Sequence, residues 1–397
     1  MVEMVTTTDP RISGSETGLP DELDDILRRT SRSVYLTLKV SPASLRRQLM
    51  LSYLFCRAAD TIADTRVLPP AQRVEMLEIY RSQFVASEPD VSALAPICEL
   101  SRRTSGAGFS EGEKALLAGL KDCFLIYDSF DSDDRDLIRT LLRTLTLGMA
   151  TDLQTFPSEE EAQAEQRVVA LETAADLDRY CYHVAGCVGE FWTHLHGRHL
   201  PEFGKLDRDV MTQLGIRFGK SLQMTNVLRD TPADLLIGRC YLPLEYLGPA
   251  GVAPEELLAA ATGSLEGAAL KDLLARIAPV MHQLLDETLA HSEAGWDYTL
   301  RLPRRLLRSR LACAWPLLIG LETLALLRHH MVEWLRGERL KTTRSRIYGI
   351  VAESSLRVWS NRALDRVYRR LERPCLYTSE SAQAIKDVLP HGPKEDH

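Results

Sequence analysis

At 397 residues and 45% hydrophobic content, the chain has ample material for a folded core, and its net charge of −7 leaves no basic excess for holding a nucleic-acid backbone. Its eight cysteines (56, 98, 123, 181, 187, 240, 313 and 375) form no Cys-x-x-Cys pair and no repeating framework, and Cys56, Cys181, Cys187 and Cys313 lie in apolar helical sequence as small core residues do, which fits a reducing compartment. The opening residues Met1 to Thr6 lack a basic start and an apolar run, so no secretory signal is expected there.

Residues 1–18, rich in Thr, Ser, Gly and acids, are expected to be a disordered tail. No Gly/Ser- or Pro-rich linker divides the middle of the chain, which predicts one large domain over 19–373 and a polar tail over 374–397. Ser41-Pro42 predicts a helix start, with Ser as the cap and Pro at the first helical position. That helix runs through Leu45, Leu49, Tyr53 and Arg57 to Asp60 and Asp64. Pro69-Pro70 opens the next helix, about 71–85. A looser stretch containing Pro89, Pro96 and Gly106 to Gly112 precedes a helix with Leu116, Leu120 and Phe124. Residues 137–153 read as a core helix leading to Phe156-Pro157, and the acidic Ser158 to Glu161 as a surface excursion. Further helices are predicted near 176–197, 207–229, 254–262, 265–294, 303–328 and 345–372. No run of alternating β-branched residues is bounded by hairpin turns, so the fold class is all-α. The longest apolar stretch, 312–327, is interrupted by Pro316 and Glu322 and is short for a bilayer span.

Two segments carry the chemistry. Tyr53-Leu-Phe-Cys-Arg57-Ala-Ala-Asp60-Thr-Ile-Ala-Asp64 and Gln223-Met-Thr-Asn226-Val-Leu-Arg229-Asp230-Thr-Pro-Ala-Asp234 each hold two aspartates four apart, with a polar side chain seven residues before the first. On an α-helix, offsets of 0, +7 and +11 fall within roughly 40° of one another. Tyr53, Asp60 and Asp64 therefore share one face, as do Gln223, Asp230 and Asp234, with Arg57 and Asn226 near those faces. One Asp-x-x-x-Asp alone is most often a solvated helix face. Two copies on apolar helices, flanked by Arg, Gln, Asn and Tyr, point instead to a cavity that gathers divalent cations, because unpaired carboxylates there need compensation. Mg²⁺ takes oxygen ligands from a few carboxylates, waters and substrate phosphates, and can act as a Lewis acid on a departing diphosphate. Arg57, Arg229 and Arg239 would add fixed positive donors. Pro232, between the second pair, predicts a kink or a helix end that aims Asp234 differently from Asp64.

At these residues the chain resembles the squalene and phytoene synthases. Gln223 to Pro243, including Gly238, Arg239 and Tyr241, is similar to the family's second signature, and Tyr53 to Asp64 to its first. Thr30-Ser31-Arg32-Ser33 resembles its N-terminal phosphate-contacting segment, and Asp178 to Gly189, with Tyr180, its tyrosine-bearing helix. The matches keep the family's order over roughly residues 25 to 350. The resemblance implies a class I isoprenoid synthase fold with a central cavity. It also implies Mg²⁺-assisted joining of two prenyl diphosphates head to head, with catalytic roles for Tyr180, Arg57, Arg229, Asp60 and Asp230. Substrate contacts fall to Ser31, Arg32, Ser33, Tyr53, Arg57, Gln223, Asn226, Arg229, Arg239 and Tyr241, and metal contacts to Asp60, Asp64, Asn226, Asp230 and Asp234. A tyrosine in a dry cavity can accept or relay the proton lost in the first condensation, and its ring can stabilise cationic carbon.

The product depends on the second half-reaction: hydride from NADPH gives squalene, whereas proton loss gives a phytoene- or dehydrosqualene-type polyene. The wording Thr231 to Leu235 and Gly238 to Tyr241 is more similar to bacterial squalene synthases, and Lys341 to Arg344 points the same way. No Gly-x-Gly-x-x-Gly follows a strand, so no Rossmann site is read and no cofactor residue is assigned. Eukaryotic relatives carry aromatics before the proline matching Pro316, where this chain has Leu311-Ala312. Ala185, Gly186 and Gly189 are expected either to pack helices closely or to leave room for a prenyl chain. His194 and His196 point to different sides of a helix, against a zinc site with His199. Arg301, Arg304, Arg305, Arg308 and Arg310 read as a solvated or core-flanking basic face, with a membrane-surface patch as the alternative because the substrates are greasy. The expected setting is cytoplasmic, with room for peripheral contact at the inner membrane face, since Pro390 to His397 is too polar for an anchor. The rival of another class is a noncatalytic helical prenyl-lipid-binding protein.

Overall fold

The computed structural model describes residues 19–31, 34–65, 67–86, 89–103, 108–165 and 167–376. Helices dominate these residues, in agreement with the all-α expectation. The described residues fall into two compact units: those up to Ala150 with His194–Pro201, and Thr151–Thr193 with those from Glu202 onward.

In the first unit the helices are α1 (Asp21–Ser31), α2 (Val34–Val40), α3 (Ala43–Asp64), α4 (Pro70–Val85), α5 (Ala95–Arg103), α6 (Glu111–Ala118), α7 (Leu120–Asp128) and α8 (Ser132–Thr155) up to Ala150. The core is aromatic. Phe55 of α3, Phe84 of α4, and Phe124 and Tyr127 of α7 lie with ring centroids 4.9 to 6.2 Å apart, mostly edge to face. Tyr80 joins them and donates its hydroxyl to the Phe55 carbonyl at 2.9 Å. The predicted Ser41 cap is not made. Pro42 stands at the cap position of α3 without a side-chain bond, and the buried Ser41 hydroxyl turns back to the Thr37 carbonyl at 2.9 Å.

The second unit contains α9 (Glu159–Glu165), β1 (Val169–Ala170), α10 (Ala174–Cys181), α11 (Cys187–His199) up to Thr193, α12 (Arg208–Leu235), β2 (Arg239–Cys240), α13 (Leu244–Leu247), α14 (Pro254–Ala261), α15 (Gly267–Arg301), α16 (Leu307–His329), α17 (Met331–Leu335), α18 (Arg344–Arg357) and α19 (Asn361–Glu372). Its centre is α12 packed along α15. A π-helical turn, Tyr182–Gly186, joins α10 to α11, so the predicted 176–197 helix carries a bulge. The predicted 345–372 helix is likewise two, because Ser360 caps a fresh start by accepting from the Ala363 amide. The acidic excursion is the helix α9, whose first turn closes reciprocally between Ser158 and Glu161.

Close approach explains the small residues. A Cβ on Gly189 would lie 1.9 Å from the Gly215 carbonyl oxygen, and one on Gly219 would lie 2.1 Å from that of Ala185. These positions therefore pack the helix after Tyr180 directly onto α12. Arg310 excludes the solvated arm of the basic-face reading at its own position. It is fully buried and donates to the Leu302 carbonyl (2.7 Å), the Val358 carbonyl (3.1 Å) and Asn361 (2.7 Å), satisfying backbone acceptors where α15 ends. Helix α16 is long and apolar enough to cross a membrane by length and composition, but 61% of its most apolar window is buried, as in a core helix.

Candidate active site

In the first unit, α3 buries Leu45, Leu49, Leu54, Phe55, Ala58, Ala59 and Ile62, which turns Tyr53, Arg57, Asp60 and Asp64 toward its less covered side. Arg57 donates to Glu113 Oε1 at 2.6 Å and reaches Asp60 at 3.8 Å. Burial, then the neighbouring Asp64 charge, pushes the Asp60 carboxyl up to about 7 against the opposing pull of Arg57. Tyr53 donates to the Thr30 carbonyl at the end of α1, 3.3 Å away. Ser31, expected to contact phosphate, is buried and donates to the Leu27 carbonyl of its own helix at 2.5 Å. Arg32 and Ser33 lie outside the described residues.

In the second unit, α12 continues past the predicted residue 229 and through Pro232, ending at Leu235. The helix end falls directly after Asp234, as one arm of the expectation had it, and Pro232 interrupts no helical residue. Arg229 lies along Asp230, with Nε 2.8 Å from Oδ1 and a second bond to Oδ2. Burial, then the Asp230 charge, pushes the Asp234 carboxyl up to about 7. Both aspartate pairs thus contain one carboxyl held in a setting that resists its negative charge.

Gly238 then turns the chain with φ of +79°, in contact with Ala162 and Pro157, where a Cβ would have no room. The turn feeds β2, which pairs in parallel with β1, Val169 opposite Arg239 and Ala170 opposite Cys240. This short pairing escapes the periodicity test because two residues show no alternation. It fixes Arg239 and Tyr241 over Asp152. Arg239 Nη1 donates to Asp152 at 2.9 Å, and the Tyr241 hydroxyl lies 3.0 Å from both Asp152 oxygens. Tyr180 stacks on Tyr241 at 4.5 Å and hydrogen-bonds it, and Gln223 Nε2 donates to the Tyr180 hydroxyl at 3.3 Å. An ionised carboxylate only accepts, so the Tyr241 hydroxyl donates to Asp152. Burial, then the Asp152 charge, holds the Tyr180 phenol well above its usual range, so it stays neutral.

The structure therefore joins Tyr180, Gln223, Arg239 and Tyr241 in one network. It also shows that Arg57, Arg229 and Arg239 already have carboxylate partners. Asp152 and Glu113 escape the sequence reading. Asp152 left a signal, as a lone acid near the end of the apolar 137–153 helix; Glu113 reads only as a helix-start residue. Among the described residues, no three His, Cys, Asp or Glu side chains converge on one metal position. Two hard carboxylates per pair suit an ion that draws its other ligands from water and phosphate oxygens, as Mg²⁺ does. His199 Nε2 lies 2.8 Å from Asp134.

Residues 27–346 match the squalene/phytoene synthase family. The chain belongs to that family, whose members are prenyltransferase enzymes. The chain is 31% identical over 225 residues to the presqualene diphosphate synthase of Zymomonas mobilis subsp. mobilis, covering 56% of this chain and 60% of that one. It is 31% identical over 235 residues to a bifunctional lycopene cyclase/phytoene synthase of Gibberella fujikuroi, covering 59% and 37% respectively. It is 26% identical over 225 residues to the squalene synthase of Eremothecium gossypii, covering 55% and 45%. The match thus spans 60% or less of the length of each of these relatives. The solved complex of TcSQS with the ligand E5700 shares the fold at a TM-score of 0.62 and 19% identity, covering 93% of this chain and 99% of that one. A ligand-bound dehydrosqualene synthase does so at 0.53 and 20%, covering 83% and 93%. The fold is accordingly the all-α isoprenoid synthase fold.

Proposed function

We propose that this protein condenses two farnesyl diphosphates to presqualene diphosphate and reduces that product to squalene, with NADPH as the hydride-donating substrate. The observation that carries the reading is the Tyr180–Tyr241–Asp152 chain, which Gln223 ties to α12 about two helical turns before the second aspartate pair, where the Asp234 carboxyl is raised. Mg²⁺ at the aspartate pairs would offset the charge of the diphosphate as the allylic C–O bond breaks and the electron pair leaves with oxygen. The double bond of the second substrate attacks the allylic carbon, and ring closure releases a proton. Tyr180 accepts that proton while passing its own to Tyr241, and Tyr241 passes its proton to Asp152. Gln223 holds the Tyr180 oxygen in place. Arg57 and Arg229, already oriented by Glu113 and Asp230, supply donors for phosphate oxygens once the substrate arrives.

Purified protein given farnesyl diphosphate, Mg²⁺ and NADPH should yield squalene only when NADPH is present. A polyene formed regardless of NADPH would establish the second reading, phytoene- or dehydrosqualene-type synthesis, which the Gibberella fujikuroi relative favours. No diphosphate release from any prenyl diphosphate would leave only a lipid-binding protein.

A peripheral contact with anionic lipid belongs to the same proposal. Residues 301–373 carry 17 Lys and Arg against 6 Asp and Glu, a net +11 in a chain of −7. Tyr348, Leu356 and Trp359, at and just beyond α18, are 70%, 78% and 62% exposed. This aromatic stripe, rather than the Arg301–Arg310 cluster alone, is the face that fits a headgroup boundary.

A further inference from the structure

Pro232 should damage α12. It has no N–H for the Leu228 carbonyl four residues earlier, and its ring crowds that carbonyl. Leu228 is buried, so water does not stand in. The missing donor comes from elsewhere: the Trp334 indole N–H, on the five-residue helix α17, donates to the Leu228 oxygen at 2.7 Å. Trp334 is itself almost wholly buried, and the bond is the only polar contact its ring can make.

The location matters more than the bond. Leu228 lies two residues before Asp230, and Pro232 lies between Asp230 and Asp234. The turn that sets the spacing of the second aspartate pair is therefore the turn whose backbone ladder is broken, and Trp334 closes it. An orphaned carbonyl would tilt outward and bend the helix at this point, as carbonyls freed by proline do. We infer that Trp334 is a positioning residue for Asp230 and Asp234, replacing in space the hydrogen bond that Pro232 removes along the chain. The inference rests on the reading of that pair as a Mg²⁺–diphosphate site.

The test is a double-mutant cycle. Pro232→Ala restores the backbone N–H, so Leu228 regains a partner and Trp334 becomes dispensable. Trp334→Phe removes the N–H and keeps an aromatic ring, a smaller one, whose lost volume is the same in both backgrounds of the cycle. Binding of Mg²⁺ with inorganic diphosphate is read by calorimetry and by the rise in Tm it causes, alongside diphosphate release from farnesyl diphosphate. In the natural background W334F should weaken Mg²⁺–diphosphate binding about tenfold, the size expected when a buried acceptor loses its donor. In the P232A background the same substitution should change binding less than about twofold. Equal losses in both backgrounds overturn the inference, since general damage to packing would not be relieved by an alanine in α12. Should W334F not fold, a soluble, binding-competent P232A/W334F double supports the inference and an equally unfolded double overturns it. If the natural protein itself gives no Mg²⁺-dependent response, the functional reading fails and takes the positioning role with it. A responsive natural protein with no rescue sinks the positioning role alone.

Discussion

The Tyr241 hydroxyl lies equidistant, at 3.0 Å, from the two oxygens of Asp152, with Tyr180 stacked on the same ring. Because the phenol of Tyr180 is held neutral, it can take a proton only by handing one on, and Asp152 is the acceptor at the end of the line. Asp152→Asn keeps the shape and removes that acceptor. The expected result is a fall in kcat for presqualene diphosphate formation of about 10²-fold, the usual worth of positioned proton transfer. The Mg²⁺ requirement should stay the same. Tyr241→Phe should give a similar loss, and the double variant should be no worse than either single one. Additive losses in steady-state kinetics would argue against a shared relay.

Asp60 and Asp234 are carboxylates whose ionised form the folded protein resists. Asp60→Asn and Asp234→Asn should each cut diphosphate release by about 10²-fold or more, as expected when a metal's charge stabilisation is lost. Both variants should nevertheless melt at or above the natural Tm in metal-free buffer at pH 8, because a group that disfavours folding when ionised has been removed. Loss of activity together with loss of stability would mark these residues as structural supports.

The same two groups set a pH dependence. Their folded pKa of about 7 lies above the ordinary carboxyl value, so their contribution to stability is fully present below about 4 and is lost as pH rises through 7. On this account the metal-free protein is more stable at pH 6 than at pH 8. Binding a divalent cation needs the ionised forms, so the Tm increase produced by Mg²⁺ with inorganic diphosphate should be larger at pH 8. Scanning fluorimetry at the two pH values decides it, and a larger increase at pH 6 would contradict the assigned roles.

What the sequence made legible was whatever depends on helical period. The faces carrying Asp60 with Asp64 and Asp230 with Asp234 follow from 100° per residue, and so do the apolar sides that bury Leu45, Leu49 and Leu54. What stayed hidden depends on contacts distant along the chain. Asp152 meets Arg239 and Tyr241 across more than 80 positions, and Trp334 reaches Leu228 across 106. No local pattern reports such pairs. Pro232 illustrates the gap: the rule that proline breaks a helix is sound, and it is overridden here by a donor that only the tertiary fold supplies. Arg310 is a charge in a run of charges whose spacing left a solvated and a core-flanking face equally open, and it is wholly buried because backbone carbonyls surround it.

Glycine substitutions separate packing from flexibility. Gly189→Ala would place a methyl 1.9 Å from the Gly215 oxygen, so the helix after Tyr180 must move off α12. The expected cost is about 1–3 kcal/mol or more, read as a lower urea midpoint. Gly320→Ala, on α16 with open space around the new methyl, should raise the midpoint, a gain of about 0.5–1 kcal/mol in stability through helix propensity. Equal effects at the two sites would refute the close-packing account.

The exposed stripe on α18 predicts a lipid dependence that greasy substrates would exploit. Tyr348 and Leu356 lie eight residues apart on the helix, and Trp359 follows just past its end, so all three fall within roughly 80° of one face if the helical path is extended. Among the described residues, Arg344 and Arg362 flank them with no carboxylate partner. Flotation with phosphatidylcholine vesicles containing phosphatidylglycerol should carry the protein upward, and high salt should weaken the association, because both the apolar wedge and the charge are needed. The triple variant Tyr348→Ser, Leu356→Ser, Trp359→Ser should lose flotation while keeping its turnover of farnesyl diphosphate in detergent. If the natural protein ignores the vesicles and instead self-associates through Trp359 in sedimentation, the stripe is a contact between copies and the lipid proposal falls.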